Sequence, residues 1–128
     1  MNYFEIAKEV SKNACTSSKF SVGACLVTKD GKIYTGCNIE NGGIQSICAE
    51  RCAFVKALSE GERNFESIYV VGKLDSEKLF LETLPCGYCR QFMRSYVDLN
   101  FKIYTLDEAK NEINEYTLEE LLPHSFNF

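Results

Sequence analysis

Two thiols stand two residues apart in Pro85-Cys86-Gly87-Tyr88-Cys89, and a third stands in Cys48-Ala49-Glu50-Arg51, with a carboxylate two residues on. A Cys-x-x-Cys pair plus one distant cysteine supplies three thiolates. Zinc takes four ligands in a tetrahedron, so one corner is left for water, as in catalytic sites. A metal near the axis of a helix tip can be approached from both sides, so Glu50 reaches that corner without being a ligand. That is the placement a proton shuttle needs. Zinc with three thiolates carries one net negative charge, which makes bound water less acidic than beside three neutral histidines. Arg51 is placed to offset that charge by donating hydrogen bonds to the thiolates, and Arg90 is a second candidate.

The same residues admit plainer interpretations. Cys52 lies four residues after Cys48 on one helix face, so Cys48, Cys52, Cys86 and Cys89 are one possible closed, structural zinc site. One helical pitch, about 5.4 Å, should nevertheless carry Cys52 away from a metal at the tip. Cys86-x-x-Cys89 as a redox pair fits less well, because a third cysteine followed by a glutamate has no part in that chemistry. Cys15, Cys25 and Cys37 read as small core residues. His124, the only histidine, has no triad around it.

These groups need elements to hold them. Phe4, Ile6, Ala7 and Val10 recur at helical spacing, so residues 2–14 are expected to form a helix. Residues 20–28 are rich in β-formers, Asp30-Gly31 signals a hairpin turn, and 32–38 reads as the returning strand. A polar loop over 39–46 leads into a helix over 48–59 with little polar surface, ending near Gly61. Residues 67–73 form a short apolar strand of the kind buried in a parallel sheet. Pro85 is expected to open another helix, because proline suits a first turn. A strand over 101–106 and a short helix over 117–122, stopped by Pro123, complete the chain. A hairpin followed by alternating helix and strand means α/β, with a mixed sheet and helices on both faces. Both cysteine-bearing helix tips should then open at one sheet edge, where α/β folds bind ligands. The free N–H groups of a helix tip also favour a thiolate.

With 128 residues, the natural expectation is one domain over 1–128 with a core of its own. A net charge of −4 argues against a duplex nucleic-acid binder. No apolar run has signal-peptide or membrane-spanning length, so a cytoplasmic protein is expected. There the seven thiols stay reduced, and clustered cysteines point to metal or catalysis rather than disulfides.

The motifs at 48–51 and 85–91 resemble those of the zinc-dependent cytidine deaminases of the small homotetrameric type. Residues 18–27, 36–41, 55–62 and 121–126 resemble the same family, so the likeness spans nearly the whole chain. It implies a three-layer α/β/α fold around a mixed five-stranded sheet. It implies one zinc per subunit on Cys48, Cys86 and Cys89, with Glu50 as general acid and base. Water activated by the metal would add at C4 of the pyrimidine, while Glu50 passes a proton to N3 and later helps ammonia leave. The substrate implied is free cytidine or deoxycytidine, in pyrimidine salvage, with a related aminopyrimidine nucleoside or nucleoside antibiotic as the alternative. By the same resemblance the Ala49 backbone holds the pyrimidine edge, Asn38 and Glu40 bind the ribose 3′-hydroxyl, and Phe20 packs near the substrate. Phe126 would close a neighbouring subunit's pocket in a homotetramer with shared sites. A carboxylate at Glu40 would repel a nucleotide 3′-phosphate. The chain departs from the family in its 38–48 loop, which is one residue shorter and lacks a tyrosine. It also lacks the usual proline and tyrosine ahead of Phe20.

Overall fold

A computed structural model describes residues 1–127. Its elements are α1 (Tyr3–Ser11), β1 (Phe20–Thr28), β2 (Ile33–Cys37), α2 (Ala49–Ser59), β3 (Phe65–Leu74), α3 (Gly87–Arg94), β4 (Lys102–Asp107), β5 (Glu112–Thr117) and α4 (Leu118–Leu121). The five strands form one sheet in the order β2-β1-β3-β4-β5. Only β3 and β4 pair in parallel; the other neighbours are antiparallel. This is the mixed five-stranded sheet expected.

Alternation along the strands builds the three layers. On β1, Ala24 and Leu26 face Ala53, Phe54 and Ala57 of α2, while Cys25 and Val27 face Phe4 and Ala7 of α1. Phe54 centres the larger core, edge-on to Phe65 with ring centroids 5.1 Å apart. Burying one such ring is worth about 1.5–3 kcal/mol. Among the described residues, no helix is long and apolar enough to cross a membrane.

Two local features differ from expectation. Pro85 does not enter a helical turn: α3 begins at Gly87, and Cys86 is its N-cap, extended at φ −68° and ψ 165°. That conformation turns the Cys86 sulfur back to accept a hydrogen bond from the Cys89 N–H at 3.4 Å. Pro85 is buried instead, and its carbonyl accepts from Arg90 Nε at 2.7 Å. The second feature is β5, an exposed edge strand with polar composition. It is entered through Asn111, in the left-handed region at φ 53°.

The topology decides where the chemistry goes. β1 runs antiparallel to both β2 and β3, so β2 and β3 run the same way. The segments leaving them lead to the tips of α2 and α3, which open at one sheet edge, as anticipated. Gly36 seats α2: a Cβ there would stand 2.4 Å from the Ala49 carbonyl oxygen and 2.5 Å from the Ala53 nitrogen. Without that glycine the helix tip could not lie so close over β2.

Candidate functional site

Cys48 is the N-cap of α2 and Cys86 the N-cap of α3, with Cys89 one turn into α3. Their three sulfurs lie within 4.8 Å of one another. Cys48 and Cys86 are 3.7 Å apart, and Cys86 and Cys89 are 3.4 Å apart. Zinc–sulfur bonds of about 2.3 Å in a tetrahedron require sulfurs about 3.8 Å apart, so the triangle is already near the size of the ion. Among the described residues this is the only such cluster of candidate ligands. Cys52 is outside it. Its Cβ would sit 3.0 Å from a Cβ built on Gly36, which places Cys52 over β2 and away from the tip. The closed four-cysteine arrangement therefore does not form.

The triangle favours charge on one sulfur, that of Cys48. Hydrogen bonds from Cys89, then from Cys86 and Arg51, outweigh burial and hold Cys48 down to about 5. Cys89 is pushed up, first by its bond to Cys48 and then by burial. Cys48, Cys86 and Cys89 would hold a divalent ion as thiolates, giving up their remaining protons on binding. Arg51 stands beside the triangle, and its interactions with the Cys89 and Cys48 sulfurs raise its own pKa against the effect of burial. Its guanidinium lies 4.4 Å over the Tyr88 ring, and one terminal nitrogen donates to the Ser46 carbonyl at 3.3 Å. Its Nε is buried with no hydrogen-bond partner. A buried donor left over beside three sulfurs fits a site meant to be read as thiolates, and so fits zinc. Arg90, the other charge candidate, instead donates to the carbonyls of Pro85 and Leu121, each at 2.7 Å.

Glu50 is 3% exposed in the first turn of α2. Burial, reinforced by the Cys48 charge, pushes its carboxyl up to about 7. A carboxyl poised there both takes and gives a proton near neutrality. It lines a cleft of about 260 Å³ together with Ala49, Cys48 and Cys86. Phe20, Asn38 and Glu40 line the same cleft, so the structure brings all of these sequence candidates together.

Asn38 is buried and acts first on the strand beside it. Its Oδ1 accepts from the Val22 N–H at 2.9 Å, and its Nδ2 donates to the Phe20 carbonyl at 2.8 Å. The amide thus continues the β1–β2 ladder by one rung and leaves its second N–H toward Glu40, at 3.3 Å. Glu40 accepts from the Ser17 and Ser18 N–H groups, each at 2.9 Å, and from the Ser18 hydroxyl at 2.9 Å. These bonds, the Ser18 N–H first, hold its carboxyl below the usual range. It is a fixed anion at the cleft rim.

Sequence reasoning missed Ser17 and Ser18, and also Val22, Ser46, Ile47, Thr83 and Leu84 in the cleft wall. Thr83 and Leu84 directly precede the Pro85-Cys86 motif, which was the available signal. Phe126 lies outside this cleft, 66% exposed, with its carbonyl accepting from Gln91 at 2.9 Å.

A mixed α/β sheet that presents three cysteine sulfurs and a buried glutamate at paired helix tips defines a zinc-dependent deaminase class. Residues 1–105 match the family described as the cytidine and deoxycytidylate deaminase zinc-binding region, and the chain belongs to that family. The cytidine deaminase of Sporosarcina psychrophila is 42% identical over 111 residues, covering 86% of this chain and 77% of the relative. The blasticidin-S deaminase of Bacillus cereus is 31% identical over 123 residues, covering 93% and 86%. The crystal structure of cytidine deaminase from Burkholderia pseudomallei superposes with a TM-score of 0.84 at 35% identity, covering 97% of this chain and 96% of that one.

The arginine beside the sulfurs yields a direct expectation. Arg51→Gln removes the positive charge and a charge-assisted donor, each such bond being worth about 1.5–3 kcal/mol. Turnover should fall about ten- to a hundredfold while zinc per chain stays near that of the parent. Metal analysis beside initial rates checks it; full activity with an unchanged pH profile refutes it.

Proposed function

We propose that this protein is a zinc-dependent hydrolase that converts free cytidine and deoxycytidine to the uridines and ammonia. The observation that carries the proposal is the triangle of three cysteine sulfurs with Glu50 buried beside it in a cleft of about 260 Å³. Cys48, Cys86 and Cys89 would hold the zinc, which when bound supplies the charge that acidifies a water at neutral pH.

Glu50 takes the proton of the water that adds at C4 and delivers it to ring N3. It then takes the proton of the new C4 hydroxyl and gives it to the exocyclic amine as the C4–N bond breaks, leaving a C4 carbonyl and ammonia. The backbone at Ala49 borders the base, Phe20 packs against it, and the Asn38–Glu40 pair receives the sugar hydroxyl. Arg51 offsets the surplus charge of three thiolates; Arg90 supports the site through the Pro85 carbonyl.

A free 3′-hydroxyl fits better than a 3′-phosphate, because the Glu40 carboxylate, fixed by Ser17 and Ser18, repels phosphate there. That suits salvage in the cytoplasm and no nucleic-acid partner. The chain is proposed to act as a homotetramer with Phe126 of one subunit at its neighbour's cleft. Ile44, Tyr88 and Phe126, 99%, 71% and 66% exposed, support that assembly.

A second substrate class is favoured by one observation. Residues 41–45 stand exposed and outside the cleft lining, which leaves its sugar end open to a bulkier nucleoside such as an antibiotic. A turnover panel of cytidine, deoxycytidine, cytidine monophosphate, cytosine and blasticidin S tests both, with sedimentation of the holoprotein for the assembly. Cytidine and deoxycytidine are expected to lead. Zinc-replete protein that turns over none of them would overturn the proposal in favour of a structural zinc module.

A further inference from the structure

Val22 and Gly72 are register partners across β1 and β3, so side chains at both positions would project from one face of the sheet. Val22 lines the cleft. At position 72 the place of a side chain is filled by Thr83. A Cβ on Gly72 would lie 2.5 Å from Thr83 Oγ1 and 3.0 Å from both Thr83 Cβ and Cγ2. Gly72 is not among the glycines with positive φ, so its backbone suits any residue and the constraint is space alone.

The segment that nests there is tied down at every turn. The Leu81 N–H donates to the Gly72 carbonyl at 3.1 Å, and Thr83 Oγ1 donates to the Leu81 carbonyl at 3.0 Å. On the far side one oxygen of Glu82 accepts from Thr105 Oγ1 at 2.8 Å, Asn114 Nδ2 at 3.1 Å and the Tyr116 hydroxyl at 2.5 Å. Beyond it, Arg90 holds the Pro85 carbonyl. Anchored at 81, 82 and 85, the wall cannot slide outward when pushed from beneath. Its inner residues, Thr83 and Leu84, line the cleft, and Cys86 follows.

We propose that Gly72 and Thr83 act as a pair that sets the depth of the substrate cleft beside Cys86. Gly72 is a positioning residue that works through Thr83, and Thr83 is the specificity-determining surface. The notch at 72 lets Thr83 sink toward the sheet, and any side chain there lifts Thr83 into the space the substrate occupies. This rests on the cleft being the deaminase site.

The test is kcat, KM and zinc per chain for holo Gly72→Ala, Thr83→Ala and the double variant on cytidine. One methylene misplaced in a pocket is worth about ten- to two-hundredfold, so Gly72→Ala should raise KM at least about tenfold. Its kcat should change less and its zinc not at all. The double variant, which lacks Oγ1 and Cγ2, should recover most of that loss. An unchanged KM in Gly72→Ala, or a double variant no better than the single, overturns the proposal. Thr83→Ala needs no new space and decides the matter even where Gly72→Ala does not fold. By the same pocket arithmetic, it should raise kcat/KM for 5-methylcytidine relative to cytidine about tenfold or more. Equal ratios in parent and variant overturn the proposal. A parent protein inactive on every nucleoside is a failure of the deaminase assignment, seen before any variant is made.

Discussion

Glu50→Gln is expected to remove deamination while leaving zinc in place. The substitution keeps the shape of a side chain that is 3% exposed, so the packing of the α2 tip survives. It also removes a buried carboxyl that burial already pushes up to about 7, so folding is not the step at risk. The glutamate is outside the sulfur triangle, so metal content should not follow activity. What is lost, on the proposed mechanism, is the buried carboxyl beside the sulfur triangle that takes a proton from water and returns it to the ring. A positioned acid–base group contributes about 10²–10⁴-fold. Two proton transfers depend on this one, so the upper end of that range is expected in kcat. Absorbance assays on cytidine beside metal analysis read both quantities. A Gln variant within tenfold of the parent would mean that another group carries the proton.

The part of this site legible in the sequence is the part whose chemistry is local. Cys86-x-x-Cys89 occupies one turn, and Cys48 with Glu50 another; residue type and spacing were enough to place them at helix tips. The hairpin turn at Asp30-Gly31 was equally local, with Gly31 at φ 88°. Where a residue's role depends on what the fold brings against it, the sequence is silent. Nothing in the sequence assigned Ser17 and Ser18 a role, yet their N–H groups fix Glu40 from 23 and 22 residues away. Asn38 read as a sugar ligand, and its amide turns out to be largely engaged with the β1 backbone. Thr83 offered only its position ahead of the Pro85-Cys86 motif, because its place is made by a glycine on another strand. β5 escaped residue-level reading for a different reason. An edge strand with exposed Ile113 and Glu115 buries too little to show alternation, and its signal was one left-handed Asn111. Pro85 misled because proline is also compatible with the residue before an N-cap. There the need for an extended Cys86 moved the helix start to Gly87.

Cys86→Ser is expected to empty the metal site without unfolding the chain, whereas Cys52→Ser should leave it full. Cys86 is the cleanest of the three ligands to change. It is solvent-exposed, so no core contact is lost, and it caps α3, a position where serine is among the favoured residues. The hydroxyl takes over the bond from the Cys89 N–H but cannot replace a thiolate, because it does not ionise near neutral pH. Removing outer partners of metal ligands already costs about 10–100-fold in affinity, so losing one of three direct ligands should cost at least the upper end of that range. Activity should fall with the metal, and the thermal stabilisation that added zinc gives the parent should shrink, because binding to the folded state is what supplies it. Cys52 lies one turn along α2, packed over Gly36, and its hydroxyl analogue leaves the triangle of Cys48, Cys86 and Cys89 untouched. Zinc per chain after dialysis, measured on both variants and the parent, separates the alternatives. Retention by Cys86→Ser, or loss from Cys52→Ser, would show that a different set of sulfurs holds the ion and that the corner facing Glu50 is not the open one.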